Sequence, residues 1–565
     1  MKGKGGCILF LILIGCSILP VCSNFIHSPL YRNSRDLNDH TILSEVAFST
    51  YIGGSMDDTI DCIVVDDSNN TYIAGRTFSQ NIPSGGNLRF EYSACSDYYV
   101  MKLNSSRGIE YLTYIGGSGY EGSPDLNPIG ACSIDVDDLG RVYMTGTTGS
   151  SDFPLVHPWQ DEQNDISDCF ALRLSSDGGS FQYSTFIGGW GLDFGTTIKV
   201  DTSYNAYICG WTRSEDFPTM NSIDRSLSGN SDLFLLKLDH NGQLVFSTYV
   251  GGSGSETAQG TSSLFLDEAR NSYIIGSTTS PDLRITNNAI EYNAPTRDIF
   301  FWKVSPNGGF LSGSYFGSID SDEVGGICVD DLGYIYLTGS TTGTITLNHS
   351  IGSNPSAFVA KFTNTGNLLH TTGFGGSGID YPLGLFVDND HCVFVTGYTY
   401  SPNFPLEDSI DGIYDGLGDC FILKLSSGGD QLLFSSYLGG SAEDIGFTVT
   451  ATPYHNIMLG GAVNSLDFEI INPLNSTNED LTGFIIEIED EWEDIPLTTS
   501  TTTTTSTTSP PSSSITTTTL PSDLTDELNS VFLLNSILLA GLGSELIVLF
   551  LMVRHIVRNR RLSYS

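Results

Sequence analysis

The sequence predicts an all-β fold, a seven-bladed β-propeller of four-stranded antiparallel blades. Three observations carry that prediction. The stretch STYIGGSMDD, from Ser49 to Asp58, returns as LTYIGGSGYE, STFIGGWGLD, STYVGGSGSE and SSYLGGSAED. Taking the second Gly of each GG, or its equivalent, gives seven copies at Gly54, Gly117, Gly189, Gly252, Ser318, Gly376 and Gly440. The steps between them are 63, 72, 63, 66, 58 and 64 residues, and each copy holds short β-rich runs with no room for a long helix. Repeats of this length built from four strands each are how propellers are written.

Within a copy the strands follow in order. Strand A is an apolar run ending at Asp66, Asp137, Asp201, Asp267, Asp330 and Asp388, with Thr452 in the seventh copy. A turn of Asp, Asn and Gly leads to strand B, written TYIAG, VYMTG or IYLTG, whose Gly falls nine residues after that Asp position in all seven copies. Two β-rich runs joined by such a turn make a hairpin. Strand C opens on an Asp 22 residues beyond the strand B Gly in five copies: Asp97, Asp168, Asp232, Asp298 and Asp419. A Gly-rich turn then leads to strand D, as in LVFSTYVGG.

A lone strand D, 46–52, precedes the first copy, and the seventh copy stops after its strand C, 484–490. The N-terminal strand is therefore expected to complete the last blade, with Phe48 pairing into 484–488. That closure removes an exposed edge and ties the two ends of the ring together.

These residues resemble the seven-bladed β-propeller repeat family (SBBP-type repeats). Its pattern YSTYLGG…VDSSGNVYVTG…DFP appears here as YSTFIGGWGLD…VDTSYNAYICGWTRSEDFP, from Tyr183 to Pro218, and similarly in most copies. The fifth copy departs most, with FGSID in place of GGS and no DFP, and the seventh lacks the strand A Asp. The resemblance covers 46–490 and implies a fold, not a reaction. The arrangement of leader, Thr-rich stalk, anchor and basic tail also looks like that of archaeal surface proteins.

The ends of the chain address it to a membrane. Residues 1–23 read as a signal peptide, with Lys2 and Lys4, an apolar run and a small residue at Ser23. LIGC, ending at Cys16, resembles a lipoprotein box, but the apolar run continues past it. A lead-in, 24–45, precedes the propeller, 46–495. Residues 496–528 form a stalk of Thr, Ser and Pro that reads as extended and O-glycosylated. Residues 529–553 supply an apolar run long enough to cross a bilayer. The tail, 554–565, carries Arg554, Arg558, Arg560 and Arg561, which places it in the cytoplasm and the propeller outside. Glu545, with the small residues Ser536, Ala540 and Ser544, suits either helix-mediated self-association or a lone anchor.

The formal net charge is −41, from 65 acidic and 24 basic residues. That excludes nucleic acid as an expected partner and suits cations, basic proteins or a saline surrounding. Four residues after the reference Gly every copy is acidic: Asp58, Glu121, Asp193, Glu256, Asp322, Asp380 and Asp444. A ring of carboxylates on one face is a candidate Ca²⁺ site, since that ion takes six to eight oxygens. The alternative is that each accepts N–H bonds within its own turn. No other cofactor is implied.

Aromatics two residues into strand C, Tyr99, Phe170, Phe234, Phe300, Phe358, Phe421 and Phe484, read as blade-to-blade packing. Five residues into strand C stand Lys102, Arg173, Lys237, Lys303, Lys361 and Lys424, with Glu487 in the seventh copy; ion pairs or a solvated edge are expected there. The face carrying the long B–C and D–A connections varies most, which is where binding usually resides. Candidates on it are 119–128 and 253–260, with Tyr120, Glu121, Asp125, Trp190 and Trp211. Asn69, Asn104, Asn348 and Asn475 satisfy the N-glycosylation pattern. Cys62 with Cys95, and Cys132 with Cys169, are candidate disulfides, although the intervening strand B stretches both pairs.

Catalytic motifs are poor. GFGGSG at 373–378 matches GxGxxG but closes a strand, and HExxH and the P-loop are missing. The expectation is a non-catalytic binding or adhesion module for extracellular glycans or proteins. The alternatives are a carbohydrate-active hydrolase or lyase on the long-loop face, and a structural envelope component.

Overall fold

The computed structural model describes residues 45–489 except 94, 123–131, 259, 261, 287–295, 469, 472 and 476–480. The leader, stalk, 529–553 segment and tail lie outside the described residues, as does Asp125. Among the described residues no helix is long and apolar enough to cross a membrane.

Seven sheets follow one another along the chain, each hydrogen-bonded in the order A-B-C-D. Blade 1 is Cys62–Val65, Thr71–Thr77, Asp97–Leu103 and Ile109–Ile115. Blade 7 is Asp444–Ala451, Ile457–Val463, Thr482–Ile488 and, as its fourth strand, Val46–Ile52. Each strand A touches strand A of the next blade, from blade 1 through blade 7 and back to blade 1. The A strands therefore surround the axis, and the D strands lie outermost. The expected closure is present: Phe48 stands opposite Glu487 and Tyr51 opposite Phe484.

The core lies between blades. Seven apolar clusters each join two consecutive blades, the last joining blade 7 to blade 1 through Phe48, Ile60 and Tyr99. The strand C aromatics sit in these clusters with at most 1 % exposure, because a sheet that is apolar on both faces must be covered on both.

Two blades depart from the four-strand plan. In blade 4 the innermost strand is broken into Glu256–Thr257 and Leu264–Leu266. In blade 5 an extra strand, His349–Gly352, pairs in parallel with Leu368–Gly375 and makes a fifth. That extra strand is the extreme of a general device. In every blade the B–C connection hydrogen-bonds to the free edge of strand D, as Ser184 N–H does to the Val156 carbonyl and Ser49 N–H to the Ile471 carbonyl. An open outer edge would template aggregation, and the B–C connection covers it.

Candidate functional site

The ring of acids lies at the D–A end of the blades, and every member is buried to 1 % exposure or less. Each accepts the N–H four residues before it: Gly54 to Asp58 at 2.6 Å, Gly189 to Asp193 at 2.8 Å, Gly440 to Asp444 at 2.8 Å. Hydroxyls at the end of strand B complete the set. Ser79 and Thr77 donate to Asp58, Ser280 and Thr278 to Glu256, and Ser465 to Asp444. Desolvation lifts Asp58 and Asp193 to about 6 and Glu121 to about 7, against the pull of these hydrogen bonds.

This geometry explains the doubled glycine. A Cβ on Gly188 would meet Asp193 Oδ2 at 2.7 Å and Asp168 Oδ1 at 2.9 Å, so two carboxyls close over the first Gly. A Cβ on the second, Gly189, would meet Asp216 Oδ1 at 2.5 Å and Ser214 Cβ at 2.9 Å. The Asp of DFP fills that place, accepting the Trp190 N–H at 2.9 Å, while its Phe217 packs into the core. The fifth copy keeps the geometry by exchange. Ser318 stands where the other copies have Gly, and Gly343 stands where they have the donor Ser. A Cβ on Gly343 would clash with Ser318 Oγ, and Ser318 supplies the hydroxyl that Asp322 accepts.

Each acid of the ring thus accepts an N–H within its own turn. Among the described residues, the group whose ligand atoms approach within 4.8 Å of one another is Asp330, Asp331 and His391, at the opposite, A–B end. His391 Nδ1 lies 3.4 Å from Asp330 Oδ2 and 3.7 Å from Asp331 Oδ1. The same turn position elsewhere also reaches the preceding blade: the Tyr204 ring lies 4.4 Å from the Arg141 guanidinium, and Arg270 donates to Thr202 at 3.1 Å. His391 therefore stitches blade 6 to blade 5.

The strand C bases also have a structural task. Lys237 Nζ lies 4.5 Å from the Tyr207 ring centroid and 3.5 Å from Asp201 Oδ2, while the Tyr207 hydroxyl lies 3.4 Å from the same oxygen. An Asp, an aromatic and a base thus link strands A, B and C. Lys102, Arg173, Lys303, Lys361 and Lys424 stand over an aromatic in the same way.

Two sets of partly exposed aromatics stand at the D–A end, one in blade 3 and one in blade 6. Phe194, one residue after the acid of blade 3, stacks on Trp211 with centroids 4.2 Å apart, and Arg213 lies 5.4 Å over Trp211. In blade 6 Tyr381 stacks on Tyr398 at 4.9 Å, and Tyr400 meets Tyr398 edge-on. All four stacked rings are half-buried. Trp190 is 74 % exposed and Tyr120 53 % exposed on the same face. Glu121, named with them as a binding candidate, is buried. Phe194, Tyr381 and Tyr398 were not singled out by the sequence. The available signal was an aromatic after the acid together with one after the strand B Gly, which coincide in copies three and six.

The remaining candidates fall elsewhere. Neither cysteine pair is bridged: Cys62, Cys95, Cys132 and Cys169 are free, because strand B lies between the strands that carry each pair. The Cys132 thiol instead donates to Asp61 at 3.4 Å. Asn69 is buried, with its carbonyl facing Arg107. Asn104 Oδ1 accepts from Ser106 and Gly108, and Asn475 Nδ2 donates to Gly53. Asn348 is exposed.

The fold defines a seven-bladed β-propeller. No family model and no curated protein matches the chain. Solved structures similar to it include a protein of unknown function from Dyadobacter fermentans DSM 18053, at 10 % identity and TM-score 0.38, covering 64 % of this chain and 95 % of that one. A PL25 polysaccharide lyase, an ulvan lyase, aligns at 10 % identity and TM-score 0.39, covering 73 % and 93 %. Trypanosoma rangeli sialidase in complex with sialic acid aligns at 8 % and 0.34, covering 73 % and 58 %. Likeness at this level carries no argument about chemistry.

Proposed function

We propose that the chain is a surface-anchored propeller, held outside the cell on its Thr-rich stalk, that binds glycan or protein ligands without altering them. The observation supporting this is the pair of stacked aromatic sets, Phe194 with Trp211 and Tyr381 with Tyr398, half-exposed at the D–A end. Aromatic faces offer apolar area to sugar rings or partner side chains, and Arg213 adds a donor. A hydrolase or lyase of the two-carboxylate kind needs an acidic pair that substrate can reach. The carboxyl pairs described above are closed inside the blade junctions.

The test passes the full chain, in detergent, over immobilised polysaccharides and surface extracts. Retention is expected to weaken at least about tenfold in Trp211→Ala and Tyr398→Ala, a loss of roughly 1.4 kcal/mol. It is expected to be unchanged in Leu139→Ala at the opposite end. Equal retention by all three variants removes the two stacked aromatic pairs as the site.

A further inference from the structure

At five blade junctions the Asp that opens strand C lies against the buried acid that opens the next strand A, as Asp97 does to Glu121 and Asp298 to Asp322. In three of them, Asp168 with Asp193, Asp232 with Glu256, and Asp419 with Asp444, the two carboxyls face one another with no cation beside the strand C Asp. All six are 0 % exposed. The first of each pair opens strand C of one blade, and the second opens strand A of the next. One oxygen of the strand C Asp accepts a loop N–H, from Asn164, Ser228 or Asp415. The other, Oδ1 of Asp168, Asp232 and Asp419, is buried with no hydrogen-bond partner. Two ionised carboxylates in such a place would repel at short range and leave that oxygen unsatisfied.

The chain supplies its own comparison. In blade 5 the strand C Asp is replaced by Ser356, whose hydroxyl donates to Asp380 Oδ2 at 3.2 Å. In blade 7 it is replaced by Thr482, whose methyl group lies against Gly53 beside Asp58, so no second carboxyl stands there. In blade 5 a hydroxyl donor thus stands where five other blades carry Asp. A neutral carboxylic acid is a hydroxyl donor of that kind, and a carboxylate is not.

We propose that these three junctions are each closed by a carboxylic acid to carboxylate hydrogen bond holding one proton, so that the ring is tightest in acid. The surroundings agree. Asp168 also faces Asp165, with Cys169 behind it, and its partner Asp193 faces Asp216. Asp232 also faces Asp224 and the Tyr249 phenol. Asp419 also faces Asp411, the Tyr437 and Tyr414 phenols and the Cys420 thiol. None of these is a cation. Desolvation first, then the partner acid, pushes Asp168 and Asp419 up to about 7 and Asp232 to about 8. A carboxyl whose folded pKa is raised stabilises the fold fully below its unfolded value near 4. That stability is lost as pH rises through 7 and 8.

The experiment follows thermal unfolding of the full chain in detergent from pH 5 to pH 8.5, with an infrared measurement of the protonated-carboxyl C=O band. The expected result is a Tm that falls by at least about 3 °C over that range and a protonated-carboxyl band that persists at pH 6. In the variant carrying Asp168→Asn, Asp232→Asn and Asp419→Asn, the amide donor replaces the proton and most of the fall disappears. Asp232→Ser, which copies the arrangement at Ser356, gives a single-site version if the triple variant does not fold. A flat or rising wild-type Tm, no band at pH 6, or an undiminished fall in the folded variants overturns the proposal. So does a rise in Tm on adding Ca²⁺ that removes the pH dependence, which would put a cation where the proton is placed.

Discussion

Arg107 and Glu487 form a buried ion pair, 2.7 Å between Nη2 and Oε2, across 380 residues of sequence and the seam where the ring closes. Blade 7 is the one blade whose strand C position carries an acid where the other six carry a base, and whose strand A and B partners are Thr452 and Met458. The missing cation arrives from the C–D turn of blade 1, where Arg107 also donates to Thr71 at 2.8 Å. Asn456 donates to the second Glu487 oxygen at 3.0 Å. The last blade is thereby bonded to the first by side chains as well as by its borrowed strand.

Removing one member of this pair strands the other's charge. Arg107→Ala is expected to cost about 3–5 kcal/mol, as for other buried pairs, read as a lower denaturant midpoint at unchanged slope. The exchange Arg107→Glu with Glu487→Arg is expected to recover part of it. A loss below about 1 kcal/mol would make the pair an ordinary surface contact.

The borrowed strand is tested at Tyr51, which is 3 % exposed and donates its hydroxyl to the Phe468 carbonyl at 3.0 Å. Tyr51→Ala is expected to cost about 3–5 kcal/mol, the usual range for a buried aromatic. Proteolysis should then begin between 46 and 52 and spread to blade 7. Cleavage starting in another blade would show that the seam is not the weak point.

The exchange in blade 5 makes a double-mutant cycle. Gly343→Ser alone adds a hydroxymethyl against Ser318 and is expected to cost about 1–3 kcal/mol. Ser318→Gly alone removes a donor to Asp322, at about 1 kcal/mol. The double variant restores the pattern of the other six copies and is expected to be near wild type. Additive losses in unfolding free energy would mean that the two positions do not share one hydroxyl.

Closure, blade number and strand limits were legible because they are local. A lone strand before the first copy and a missing strand after the last can be counted along the chain. The junctions were not legible, because Asp168 meets Asp193 only when two blades lie side by side. The recurring Thr-x-Ser after strand B, as in Thr77 to Ser79 and Thr212 to Ser214, was a visible trace of the donors that hold the acids. The B–C connections read as free surface because their pairing with strand D depends on a register that no spacing encodes. The stacked aromatics were half legible: Trp211 stood out, while Phe194 and Tyr381 gain their partners only through the pairing of strand A with strand B.

The most direct test of the binding account is the fate of a ligand that the full chain retains. The retained polysaccharide or surface protein is incubated with the chain, and newly formed chain ends are counted against time. The account predicts sustained retention and no new ends. New ends that accumulate with the chain's concentration, and vanish when one exposed acid on the D–A face is changed, would contradict it and make the propeller an enzyme.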